Sequence, residues 1–169
     1  WLAIASSAAA YGSSTDASIA TSSDTRNNSQ QIVARYQQLR YGSTSDQTIE
    51  VVIPNGPGPH PVAILIRGEC SLSDGDMQAR FREISGDLAA RGIAVWNIGY
   101  RSIHDPGGGY PNTFLDVGIA IDLIRSKARG YALDLDRSVL VGHSNGGHLA
   151  LCSAARGRIL HSSRLHSGD

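Results

Sequence analysis

From residue 48 onward the apolar positions of the chain alternate between two periods, and each change of period marks a new element. "TIEVVIP" (48–54) places Ile49, Val51 and Ile53 at every second position and stops at Pro54, which predicts a strand with one wetter face. The turn "GPGPHP" follows, and "VAILIR" (62–67) is then apolar and rich in branched residues, as a strand covered on both faces is. In "DMQARFREISGDLAARG" the residues Met77, Phe81, Ile84 and Leu88 fall on one helical stripe, and Gly92 supplies the stop. "IAVWNIGY" (93–100) predicts a second buried strand. Beyond a loop rich in Gly and Pro, Thr113 stands at a helix N-cap with Asp116 at the capping-box position. Phe114, Val117, Ile121 and Ile124 then form a stripe that runs up to Gly130. "SVLVG" (138–142) predicts a third buried strand, followed by a helix from Asn145 to about Arg156.

Strand, helix, strand, helix, strand, helix is the order that right-handed crossovers wind into an α/β fold, a mostly parallel sheet with helices on both faces. Such sheets bind ligands at the carboxyl ends of their strands, where this chain has the loops 67–75, 101–112 and 142–146. No internal repeat is present. Residues 1–34 are dominated by Ala, Ser, Thr, Asp and Asn and hold too little apolar surface to offset the entropy of ordering them. They are expected to be a disordered or signal-like segment, with 35–169 forming the globular portion. The apolar run ending in Ala8-Ala9-Ala10 resembles the end of a secretory signal. Localisation is left open between the cytoplasm, which is favoured, and export.

Charge adds exclusions. With 15 basic and 15 acidic residues and no run of like charge, nothing points to nucleic acid or an anionic membrane surface. No apolar run reaches the ~18 residues a membrane span needs. Cys70 and Cys152 lie far apart, fit neither a disulfide framework nor metal spacing, and are read as packing residues. The expected partner is a small molecule, without cofactor or metal.

The candidate chemistry lies in Gly142-His143-Ser144-Asn145-Gly146, a G-x-S-x-G pattern between a predicted strand and a predicted helix. A turn that tight strains the serine backbone, and glycines two residues to either side let strand and helix approach without a Cβ clash. Ser144 then projects above the sheet as a nucleophile, and the amide of Asn145, at the helix N-terminus, is placed to donate to a developing oxyanion.

Several blocks resemble the N-terminal half of an α/β-hydrolase of the esterase or arylformamidase-like type: "RYG" (40–42), "VAILIRGEC" (62–70), "AARGIAVWNIGYR" (89–101), "GGYPNTFLDVGIAIDLIR" (108–125) and "LDLDRSVLVGHSNGGHLAL" (133–151). The resemblance implies a partial α/β-hydrolase fold and a serine hydrolase cleaving a carboxylic ester or small amide through an acyl-enzyme at Ser144. It also implies further oxyanion donors in the loop after "VAILI", at Gly68 and Glu69, where the family carries H-G-G. This chain has Arg67-Gly68-Glu69 there. A carboxylate about 5 Å from a forming oxyanion, at an effective dielectric near 20, opposes it by about 3 kcal/mol, roughly a hundredfold in rate. Unless Glu69 points into solvent or is neutralised by Arg67, it weakens the oxyanion site.

The family's acid and histidine follow the nucleophile, and nothing after Arg156 reads as a strand able to bring them. The chain is therefore expected to be a truncated hydrolase, impaired in activating Ser144, with an open sheet edge beside the nucleophile strand through which it would self-associate. Of the histidines present, His104, with Asp105 beside it, is the candidate base, being on a loop at the same sheet edge. His143 is expected to pack away from the hydroxyl, and His148 to make a structural hydrogen bond. His161 and His166 belong to a mobile tail, and His60 lies on the wrong edge. The alternative is a catalytically inactive α/β-hydrolase-like module that keeps the pocket for binding or interaction.

Overall fold

The computed structural model describes residues 2–6, 34–68 and 74–167. Among the described residues six strands form one sheet in the order β1-β6-β4-β5-β3-β2. They are β1 (Leu2–Ser6), β2 (Ala34–Arg40), β3 (Thr48–Pro54), β4 (His60–Ile66), β5 (Ala94–Ile98) and β6 (Leu133–His143). β1, β6, β4 and β5 run parallel, while β3 joins β5, and β2 joins β3, in the antiparallel sense. The α/β architecture and the mostly parallel sheet agree with the sequence pattern.

Helix α1 (Asp74–Ala90) packs on one face. Its Met77, Phe81 and Ala89 meet Val52, Ala63, Leu65 and Val95 in one apolar cluster. Helices α2 (Asn112–Lys127) and α3 (Asn145–Ala154) cover the other face, where Val117, Ala120, Ile121, Ile124, Leu149 and Ala150 close over Ile49, Ile64, Trp96, Ile98 and Leu140. Continuous apolar runs suit strands sandwiched in this way, because both faces of β4 and β5 are sealed. α1 ends in a Schellman pattern: Ile93 N–H donates to Leu88 O, and Gly92 N–H to Ala89 O, each at 3.0 Å. Gly92 takes φ +80°, as the predicted stop requires.

Four sequence-based expectations are corrected. Ile84 is 45 % exposed, and its place on the inner stripe is taken by Ser85, fully buried with its Oγ donating to Phe81 O at 2.7 Å. Thr113 does not cap α2; Pro111 holds the N-cap position, and Thr113 Oγ1 instead donates to Arg101 O at 2.6 Å and accepts from Gly109 N–H at 3.0 Å. Asp116 is no capping-box acid, because its buried carboxylate holds Arg101, as described below. Finally, the edge of the nucleophile strand is not open. Leu2–Ser6, expected to lie in a disordered segment, pair in parallel with β6, Leu2 opposite Val139 and Ser6 opposite His143. Five residues suffice because a strand that joins an existing edge needs only main-chain groups to pair. The rest of the expected segment, 7–33, lies outside the described residues.

Candidate active site

β4 leads through the loop after Ile66 to α1 on one face, whereas β6 leads through Ser144 to α3 on the other. Neighbouring strands whose connections leave to opposite faces create a crevice at their carboxyl ends. Gly68 and Ser144 follow β4 and β6 at those carboxyl ends, on the two sides of the switch point.

Ser144 has φ 54° and ψ −125°, a combination a residue with a Cβ adopts only where its surroundings impose it. The surroundings here are backbone. A Cβ on Gly142 would lie 2.2 Å from Gly146 O, and one on Gly146 would lie 2.3 Å from Ile66 O and 2.5 Å from Arg67 O. Only hydrogen fits at either place, so both glycines of the pattern are needed for β6, β4 and α3 to meet. A Cβ on Gly68 would lie 2.5 Å from His143 O and 2.9 Å from Ser144 Cβ, which sets the loop after β4 directly against the serine turn. Ser144 is exposed at the top of this arrangement. Asn145 opens α3, so its backbone N–H belongs to the helix's positive end.

The loop after β5 is held by a buried polar cluster. Arg101 Nε and Nη2 donate to the two oxygens of Asp116 at 2.8 and 2.7 Å, and Gln47 Nε2 donates to the same carboxylate at 2.9 Å. Asp116 is 1 % exposed, so the three donors offset the loss of its hydration. The bond to Asp116 raises the Arg101 pKa further above its ordinary value. Tyr41 Oη donates to Gly99 O at 2.7 Å, and burial, with the Asp116 charge nearby, pushes the Tyr41 pKa well above the usual tyrosine range.

The family and the fold agree with known proteins. The BD-FAE family model, of α/β-hydrolase type, matches residues 49–162, two thirds of the chain. The chain belongs to the BD-FAE family. It is 27 % identical over 118 residues to the probable isoprenylcysteine alpha-carbonyl methylesterase ICMEL1 of Arabidopsis thaliana, a match covering 69 % of this chain and 24 % of that protein. Esterase B of Lactobacillus rhamnosis, solved as a complex inhibited by a tributyrin phosphonate, superposes with a TM-score of 0.64 at 25 % identity, over 75 % of this chain and 41 % of that one. A bacterial heroin esterase gives a TM-score of 0.60 at 26 % identity, over 75 % of this chain and 40 % of that one. The BD-FAE chain described here thus spans less than half the length of these esterases and about a quarter of the curated relative.

Within this BD-FAE framework the candidate residues separate. Ser144, Asn145 and Gly68 come together at the crevice. Glu69 and Cys70 lie outside the described residues. His104 is exposed, and its neighbour Asp105 does not orient it: the Asp105 carboxylate accepts the Ser102 N–H at 2.6 Å, closing the loop on itself. His143 is half-buried, with its Nδ1 buried and unpaired among the described residues. His148 is exposed and meets the Phe114 ring edge-on at 5.7 Å, an aromatic contact where a hydrogen bond was expected. His161 and His166 lie not in a loose tail but in a folded turn. Their rings are 4.2 Å apart, His166 Nδ1 sits 2.9 Å from Ile159 O, and Arg156 ties the turn to α2 by donating to Leu165 O, Gly118 O and the Asp122 carboxylate. His60 begins β4 at the opposite end of the sheet.

Sequence reasoning missed the cluster around Asp116. Its signal was an acidic residue inside an apolar helical stripe, which demands a buried cationic partner. Trp96 is core, its Nε1 donating to Ala120 O at 2.9 Å, whereas Tyr110 is 77 % exposed and rests against Phe114. Cys152, half-buried on α3, is a free thiol whose pKa burial raises, consistent with packing and not with nucleophilic work. Among the described residues no group of His, Cys, Asp and Glu could hold a metal ion, and no helix is long and apolar enough to cross a membrane.

Proposed function

We propose that the chain cleaves a carboxylic ester through an acyl-enzyme at Ser144. The observation that carries this reading is the backbone of Ser144 itself, at φ 54° and ψ −125°, exposed above two glycines that tolerate no Cβ. Strain of about 1–3 kcal/mol is retained here in a turn that presents one hydroxyl, at a helix N-terminus and at the crevice where such sheets bind ligands. The esterases it resembles support the ester class; a small amide is the second substrate type the same step would serve. In that step Ser144 Oγ bonds to the carbonyl carbon, the bond to the leaving alkoxide breaks, and the serine proton goes to the leaving alcohol. Water then attacks the acyl-enzyme, releases the carboxylic acid and restores the hydroxyl.

Activation of Ser144 by the described residues alone is expected to be weak. Among the described residues the candidate base His104 is exposed, and the carboxylate of its neighbour Asp105 is engaged by the Ser102 N–H. The rate then rests on the strained turn and the amides beside it. A fluorophosphonate probe is expected to label the chain slowly and at one residue, with Ser144→Ala abolishing the label. Equal labelling of the two proteins would favour the inactive binding module instead.

A further inference from the structure

Strands β4 and β5 end side by side, with Ile66 opposite Ile98. Two residues beyond Ile98, the fully buried Tyr100 reaches back and its Oη donates to Arg67 O at 2.7 Å. The same carbonyl lies against the start of α3, where a Cβ on Gly146 would come within 2.5 Å of it. The next residue, Gly68, is the one that touches the Ser144 turn. A trans peptide is planar, and its C=O and N–H point in opposite directions, so whatever fixes the Arg67 oxygen fixes the direction of the Gly68 N–H.

We propose that Tyr100 is a positioning residue for the anion-stabilising edge of the site: its hydroxyl locks the Arg67–Gly68 peptide so that the Gly68 amide serves the oxyanion formed at Ser144. The inference rests on the reading of Ser144 as a nucleophile. Tyr100 is itself held from both sides, by the Tyr41 bond to Gly99 O and by the clamp of Arg101 on Asp116, so it is a rigid support rather than a mobile contact. The Arg67 guanidinium lies 5.7 Å from the centroid of the Tyr100 ring, which draws electron density toward the ring face and favours O–H donation. Preorganised amides of this kind act on the rate of the chemical step and not on binding of the neutral ground state.

The test is the concentration dependence of fluorophosphonate labelling, which separates the maximal rate of phosphonylation from the half-saturating concentration. Phosphonylation places charge on the phosphoryl oxygen as fluoride leaves, so it reports the same edge. Tyr100→Phe is expected to lower the maximal rate about tenfold with the half-saturating concentration unchanged. Ser85→Ala removes a comparable buried hydroxyl bond, Ser85 Oγ to Phe81 O within α1, without touching the Arg67–Gly68 peptide or the loop after β5, and is expected to label at the wild-type maximal rate. 4-Aminophenylalanine at position 100 keeps a donor in place and is expected to recover at least half that rate; it carries the test if Tyr100→Phe does not fold. An unchanged rate in Tyr100→Phe, an equal loss in Ser85→Ala, or no recovery by the amino variant overturns the positioning role while leaving Ser144 as nucleophile. A wild-type chain that labels no faster than Ser144→Ala overturns the functional reading, and this inference with it.

Discussion

Gly146 shows how little freedom the serine turn has at the level of single residues. Its missing side chain is filled by the carbonyls of Ile66 and Arg67, both main-chain atoms of β4 and its loop, which cannot rotate away as a side-chain terminus would. Gly146→Ala is therefore expected to cost about 2–3 kcal/mol by overpacking, read as a lower urea midpoint at unchanged slope. Tyr41 makes a second residue-level prediction, with a sign set by linkage. Its folded pKa is raised, so its contribution is fully present below the usual tyrosine value of about 10 and is lost as pH rises above it. The stability gap between wild type and Tyr41→Phe should narrow between about pH 9 and 11. A constant gap in urea midpoints over that range would show that Tyr41 titrates as freely in the folded chain as in the unfolded one.

At the scale of elements, β1 carries the largest difference between sequence and structure. A strand of five residues lies parallel to β6 and occupies the edge that the sequence pattern leaves bare. Proline at both Ala3 and Ile4 removes two consecutive N–H groups, one of which points toward β6 whichever way the ladder alternates. The double variant is expected to expose the β6 edge and to raise the apparent mass in light scattering after size-exclusion chromatography, whereas the wild type stays at one mass. The elements legible in advance were those whose partners lie on both sides: the runs of β4 and β5 are apolar throughout because both their faces are sealed. Edge strands leave no such trace. β2 has the sequence ARYQQLR and is mostly exposed, so its pairing with β3 over the full length, Ala34 opposite Pro54 to Arg40 opposite Thr48, comes from main-chain hydrogen bonds that periodicity does not record. The α2 start was misread for a related reason: Thr113 and Asp116 have the capping-box spacing, but the tertiary demand for partners to Arg101 and Gln47 outweighs a cap worth about 1 kcal/mol. The serine turn was legible because its requirements are local, a strand, two glycines and a helix within a few residues. Its supporting contacts, Tyr100 to Arg67 and Tyr41 to Gly99, join residues 33 and 58 positions apart, and no local pattern announces them.

For the molecule as a whole, the serine turn sets stability against chemistry. The sheet, α1, α2 and α3 together hold Ser144 in a conformation that a residue with a side chain avoids, so part of the folding free energy of the entire domain is stored in the backbone of one residue. If that strain is present, relieving it should stabilise the chain, and removing the hydroxyl alone should not. Ser144→Gly places at φ 54° the one residue without a Cβ penalty there, at the cost of more entropy in the unfolded chain. A net gain of about 1 kcal/mol is expected, a rise of roughly 2–4 °C in Tm for a domain of this size. Ser144→Ala keeps the Cβ and its strain, and should melt within about 1 °C of the wild type. Both variants lose fluorophosphonate labelling. Equal melting of all three proteins would mean that the turn is relaxed, and that the domain holds Ser144 for its position without paying in stability for its backbone.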